Sequence, residues 1–402
     1  MRRGRLAQAL HIVIQDEVWT AWHFRLHRTR LAGQRPATES GIMRVVEVNS
    51  IDGLPGLRLA WRSLLSETPG ASFHQSCEWM EAIFRHQQPT SRLRVLLVTG
   101  GGETVGILPL VQTERSTPLA SLRVVGYPND RWSPFQGPIG PHPTATLMAG
   151  LRHLSNSEQD WDVLELRDVD RATANYARTR TSLEVAEMSF QETDLSPRLL
   201  IDLQKQPNDF IASRRLAQCE PNASNEHRRS SRDRLTFERH RPRGTMYDDA
   251  NPRWDLFERC LELPRDNRQP HDVTKKFLRD IHVAACRSGA ADMNVLRHGN
   301  EILACCYNVH IAGVLIGVFG GSILGSQSPY CADRTAMQPL VSKMLQDSMA
   351  KHDVRWLPAV EFSCPAWPST SLRRSRFVHH RQRSASRLMR RVASCFPRLA
   401  TP

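Results

Sequence analysis

After residue 250 the chain lays out helix, helix, strand, strand, strand, helix, strand, and the same order can be read more loosely from residue 53. No other feature narrows the fold so far. Two copies of one small α/β unit are the economical explanation, each burying a strand face under a helix stripe. No residue-level repeat accompanies the order, so it rests on periodicity alone. In the first copy "MRVVEV" reads as a strand, "GLRLAWRSLLSE" and "CEWMEAIFRHQ" as helices, and "RLRVLLVTG" and "ETVGILPLVQTE" as strands joined through Gly100-Gly101-Gly102. "SLRVVGY" follows as a strand, "ATLMAGLRHLS" as a helix, and "WDVLELRDV" and "SLEVAEMSF" as strands.

A break is expected near 194–198. Beyond it come a helix at "DFIASRRLAQ", an Arg-rich stretch at 220–234 and a strand at "RLTFERH". The helices "PRWDLFERCLEL" and "VTKKFLRDIHVAACRSG" follow, the second with Phe277, Ile281, Ala284 and Ala285 on one face and Gly289 as its stop. "ADMNVLRHG", the hairpin "ILACCYNVHIAGVLIGVFGGS", the helix "AMQPLVSKMLQDSMAKHD" and the strand "VRWLPAVEF" complete the second copy. The expected division is a basic extension at 1–42, domains at 43–195 and 196–382, and a basic tail at 383–402. Regular strand periodicity starts only at Met43, so 1–42 is expected to be disordered or an upstream extension, with Met43 the principal start.

The formal charge of +13 suggests a nucleic-acid binder until it is located along the chain. Residues 1–42 hold seven Arg and three acids, and 371–402 hold nine Arg and no acid, which leaves 43–370 neutral. A phosphate-tracking groove through the body is therefore not indicated, and no specific nucleic-acid partner is expected. "SASRLMRRVASCF" has the composition of a basic amphipathic helix suited to anionic lipid or to a partner. Nine Cys are scattered without a CxxC pair, which argues against a disulfide framework or a zinc site and for a reduced, cytoplasmic setting. "GGSILGS" lacks the Lys of a Walker loop, and no Gly-x-Ser-x-Gly elbow exists.

In order and spacing, residues 43–382 resemble the CelD-like acetyltransferases, tandem GNAT proteins associated with bacterial cellulose and exopolysaccharide synthesis. "SCEWMEAIF" resembles the family's Ser-x-Glu-Trp helix start, "VGILPLV" its Gly-x-x-Pro-Leu strand and "WDVLELRDV" its Trp-Asp strand. "ILACCYNVHIAGVLIGVFGG" falls where the family has the strand pair that lines its acyl-donor cleft. The resemblance implies an α/β (α+β) fold of tandem GNAT-like domains, each a mostly antiparallel sheet flanked by helices. It implies an acyl-CoA co-substrate, no metal, and a small-molecule or glycan acceptor from exopolysaccharide or envelope synthesis. Contact with the inner membrane or a polysaccharide synthase would run through the basic C-terminal tail. Two other readings stay open: a catalytically degenerate scaffold of the same fold, and a Fem-like transferase using aminoacyl-tRNA, which a neutral core disfavours.

Within this frame the donor's pantetheine arm would lie along Val314, Ile316 and Val318 as an added strand, with its pyrophosphate at Met337 and Gln338. Glu361, near the end of the last strand, is the carboxylate candidate for a general base. His310 is the candidate titrating near neutrality, and Tyr307 a further catalytic candidate. Asn308 and Trp367 would hold the acceptor. The pair Arg373-Arg374 suits donor phosphates or belongs to the basic tail. The chain departs from the family where a Ser-Pro-Gly-like turn precedes the last helix. Thr335-Ala336-Met337 stands there, and the strand end "LPAVEFSCPAW" has lost the glycines and the Lys. The expected cleft separates Ile302–Ile311 from the last strand or its neighbour, narrower than in active relatives.

Overall fold

The computed structural model describes residues 43–86, 91–118, 121–128, 136–157, 160–204, 235–264, 275–323, 337–359 and 369–381. The extensions at 1–42 and 383–402, the helix expected at 209–218 and the Arg-rich stretch lie outside the described residues, as do Glu361 and Trp367.

The first half runs β1 (Arg44–Val48), α1 (Arg58–Ser66), α2 (Cys77–His86), β2 (Arg92–Gly100), β3 (Glu103–Ser116), β4 (Ser121–Gly126), α3 (Pro143–Asn156), β5 (Val163–Asp170), α4 (Ala174–Val185) and β6 (Gln191–Asp202). The second runs β7 (Leu235–His240), α5 (Trp254–Glu262), α6 (Lys275–Ser288), β8 (Ala291–His298), β9 (Glu301–Ile311), β10 (Val314–Ser322), α7 (Met337–Ala350), β11 (Arg355–Leu357) and β12 (Ser369–His380). Local chemistry sets many of these limits. Ser76 Oγ accepts from the Trp79 amide at the start of α2, whose first turn carries Glu78 and whose last turn carries Arg85 and His86, as the helix dipole favours. Ala312 (φ 49°) and Gly313 (φ 77°) form the two-residue turn between β9 and β10, both in the left-handed region that a tight hairpin with the native twist demands.

The 12 strands of the described residues form one sheet in the order β1-β2-β3-β4-β5-β12-β6-β11-β10-β9-β8-β7. Read from either edge it is the same: three antiparallel pairings, then a parallel one, β4 with β5 and β10 with β11. At the centre the halves exchange their last strands. β12 pairs with β5 of the first half, and β6 pairs with β11 of the second. One sheet face carries α1, α2, α5 and α6, the other α3, α4 and α7. Trp79 of α2 packs edge-on against Phe277 of α6 at 5.8 Å, so one core spans both halves. The mixed α/β, mostly antiparallel class expected from the sequence is what the structure has.

Four local expectations are corrected. "SLEVAEMSF" is not a strand: Ser182–Val185 finish α4, and Leu183 and Met188 cover the core beneath it. The break at 194–198 is the middle of β6, which crosses residues 195 and 196 without interruption. β11 holds three residues instead of the longer strand expected. Most consequential, the Arg373-Arg374 pair, expected at donor phosphates or in the basic tail, lies in "STSLRRSRFVHH", which is a sheet strand. It is β12, paired on both sides, with Leu372, Ser375 and Phe377 buried. Arg373, Arg374 and Arg376 therefore belong to the middle of the sheet, and the body of the protein is more basic than the sequence suggests.

Candidate functional site

Tyr307 and Asn308 are neighbours on a central strand and so point to opposite faces, where both are buried and engaged. Tyr307 stacks on Phe319 at 5.1 Å, and its hydroxyl lies 3.0 Å from His282 Nδ1. His282 Nε2 faces the Pro252 carbonyl oxygen, which can only accept. The proton therefore sits on Nε2, and Nδ1 accepts from the Tyr307 hydroxyl. Burial holds Tyr307 protonated and pushes His282 down to about 4, so the pair is neutral and structural in geometry.

Asn308 belongs to a different web. Its Oδ1 accepts from Trp356 Nε1 at 3.0 Å, and its Nδ2 donates to Asp292 Oδ2 at 3.2 Å. Asp292, fully buried, accepts from Arg239 Nε at 2.6 Å and Nη2 at 3.0 Å. Arg239 also reaches Asp347 at 2.7 Å, and Arg241 reaches Asp353 at 2.9 Å. Burial opposes charge on Asp292, but Arg239 and Arg241 outweigh it and hold the carboxyl well below the usual range. His310 sits at the edge of this web. Burial, with Arg241 adding to it, pushes its imidazole down to about 4, and Nε2 has no hydrogen-bond partner.

The hairpin explains why His310 is not beside an opening. Because β9 and β10 are antiparallel, His310 at the end of β9 pairs with Leu315 at the start of β10, and Leu315 is in turn paired with Trp356. That is the end where the parallel ladder is closed. The ladder covers Val314–Ile316 against Arg355–Leu357, after which β10 continues to Ser322. Among the described residues the β10–β11 pairing thus stops on β10 before Gly317, one strand over from the expected Ile302–Ile311. β9 is paired along its length on both sides.

Val314, Ile316 and Val318 send their side chains into the core beneath α5 and α6. A donor lying there would meet backbone alone. Met337 is buried and Gln338 exposed at the first turn of α7, and the segment leading into them, 324–336, lies outside the described residues. The glycines of β10 have structural work: a Cβ on Gly317 would lie 2.3 Å from the Ala359 amide nitrogen, and one on Gly321 would lie 2.9 Å from Leu263 Cβ and the Pro264 carbonyl. The chain's own backbone fills these cradles, so the described residues do not provide a glycine cradle for CoA. The structure places Tyr307 on one face with His282 and Phe319, and Asn308 and His310 on the other beside the Asp292–Arg239 web, so the three do not form one site. Among the described residues no group of three His, Cys, Asp or Glu could hold a metal.

Sequence reasoning missed the polar residues of the first half. Glu165 of β5 is buried, Asp168 is buried with φ 59°, and His74, in the loop between α1 and α2, is buried with neither ring nitrogen hydrogen-bonded. Burial pushes His74 down to about 3, with Arg198 adding to the effect. The signal was present in "VLELRDV", where Glu165 and Arg167 interrupt an apolar strand two residues apart.

No family model and no curated protein matches the chain. Solved structures are similar in broad architecture. FemX has 10% identity and a TM-score of 0.48, over 86% of this chain and 99% of that one. The C-terminal DUF2156 domain of a lysylphosphatidylglycerol synthetase candidate from Agrobacterium fabrum has 10% identity and a TM-score of 0.46, over 85% and 97%. A tandem GNAT protein from the clavulanic acid biosynthesis pathway has 15% identity and a TM-score of 0.39, over 84% and 98%. At that distance no activity carries over, and the doubled fold stands on this chain's own strand order.

Proposed function

We propose that this chain is a GNAT-type acyltransferase, moving an acyl group from a CoA thioester to an amine or hydroxyl on a sugar or other envelope precursor. One observation carries the reading: a doubled β-α-α-β-β-β-α-β unit in which, among the described residues, the parallel ladder of β10 with β11 spans three rungs and stops before a glycine. In such a frame the thioester supplies the acyl group, and the protein's part is to hold donor and acceptor in line and keep water out. No covalent enzyme intermediate is needed. In the first half the corresponding position is taken by the chain itself. Ile139 and Ile107 exchange backbone hydrogen bonds of 2.8 and 2.9 Å, and Gly140 donates to Thr68 Oγ1 at 2.8 Å just before α3. We assign the donor to the second half, where β10 runs on past its three-rung ladder to Ser322. Among the described residues no helix is long and apolar enough to cross a membrane. We place the protein at the cytoplasmic side of the envelope, with segment 383–402 as its contact.

A second reading is favoured by the filled glycine cradles of β10 and by the closed position of His310: a descendant that keeps the frame as a binding scaffold without turnover. Thermal unfolding with acetyl-CoA and longer acyl-CoAs separates the two. A donor at a hundred times its Kd stabilises the fold by about 2.7 kcal/mol. The same unfolding curve with every acyl-CoA tested would remove the enzyme reading and leave the scaffold.

A further inference from the structure

Exchange of the last strands places β12 beside β5, and this seam concentrates arginine around two buried carboxylates. Arg115 Nη2 lies 2.7 Å from Glu165 Oε2, Arg167 Nε 3.6 Å and Arg376 Nη1 3.8 Å from Glu165 Oε1. Arg374 Nη1 pairs with Asp168, and its Nη2 donates to the Ser196 carbonyl at 2.7 Å. Four guanidinium groups thus face two carboxylates, an excess of two positive charges in a partly buried place.

The pairing is also incomplete. The Nε atoms of Arg167, Arg374 and Arg376 are buried without a hydrogen-bond partner, and both Glu165 oxygens lack a well-aligned one. A buried donor left unmade keeps its full desolvation penalty, so three at one place call for an acceptor. A second carboxylate would offer two oxygens in one plane. A tetrahedral dianion offers acceptors in several directions, enough for guanidinium forks arriving from two strands, and it cancels the charge excess. Arg167 and Arg376 remain about a third exposed, at 30% and 33%, so these guanidinium groups are reachable from solvent.

We propose that the seam between β5 and β12, with Arg167, Arg374 and Arg376 as its donors, is a binding site for a phosphate or pyrophosphate group. Its anion is carried by the acceptor, a clause that rests on the acyltransferase reading; the site itself does not. Strand exchange then has a use: the second half's last strand brings Arg374 and Arg376 beside Arg167 of the first half, so the site exists only when both halves are folded together.

Calorimetric titration of the full chain with inorganic pyrophosphate tests this, with sulfate as a second arm to separate a phosphate site from general ionic strength. Arg167→Gln and Arg376→Gln, both at partly exposed positions, are compared with Arg180→Gln on the surface of α4, and folding is checked by the melting transition. Pyrophosphate binding tighter than sulfate, weakened about tenfold or more by each seam substitution and untouched by Arg180→Gln, is expected. Saturating acetyl-CoA should leave it in place, which keeps this result separate from the donor test. Binding no tighter than sulfate, or binding indifferent to both seam substitutions, means a purely structural ion web and overturns the proposal.

Discussion

The two parallel ladders of the sheet are built alike and furnished differently. Each has three rungs, β4 with β5 over Val124–Gly126 and β10 with β11 over Val314–Ile316, and each has a glycine at its end. A Cβ on Gly126 would lie 2.2 Å from the Glu165 carbonyl oxygen, and one on Gly317 would lie 2.3 Å from the Ala359 amide nitrogen. Around Gly126 the strand turns charged, with Glu165 and Arg167. Around Gly317 the strand β10 itself stays apolar, with Ile316 and Val318 buried, and the polar neighbour Asn308 comes from β9. One backbone device thus stands in two chemical settings, and the proposed roles follow them: polar recognition in the first half, the donor arm in the second.

The sharpest way to break this comparison is to fill both glycines. Gly126→Ala and Gly317→Ala each force backbone apart from a neighbouring segment and should cost about 3 kcal/mol in urea unfolding, the upper end for overpacking. Near-equal losses keep the ladders equivalent; a tolerated alanine at one of them ends the equivalence.

A smaller effect sharpens it by pH. His74 in the first half and His310 in the second are both held neutral by burial, at about 3 and about 4, against about 6.5 when unfolded. Below pH 6.5 the unfolded state therefore takes up protons that the folded state refuses. The contribution is fully present above that pH and falls by about 2 kcal/mol for each histidine between pH 6.5 and pH 5. Replacing either histidine with Gln should flatten the curve in that window by a similar amount. A wild-type stability that is flat from pH 7 to 5 would show both imidazoles to be solvated.

The element order was legible because helix and strand periods survive in apolar residues such as Phe277, Ile281, Val341 and Leu345. β12 was not, because Leu372 and Phe377 stand five apart. The register shifts between Leu372 and Arg374 and between Ser375 and Phe377 hide the alternation a strand shows. His310 and Asn308 were legible as polar residues on an apolar strand, but their partners Arg239, Asp292, Asp353 and Trp356 come from three other segments. Only the folded sheet shows that they complete an ion web. The arginine seam was invisible for the same reason: Arg115, Arg167 and Arg376 meet through the exchanged strand, which no local pattern announces.

The division of labour between the ladders is the central claim, and hydrogen exchange of the full chain with and without saturating acetyl-CoA tests it most directly. Added protection is expected in residues 314–323 and at the start of α7, with none in 121–128 or at the start of α3. Protection confined to the first half, or to neither ladder, would contradict the account.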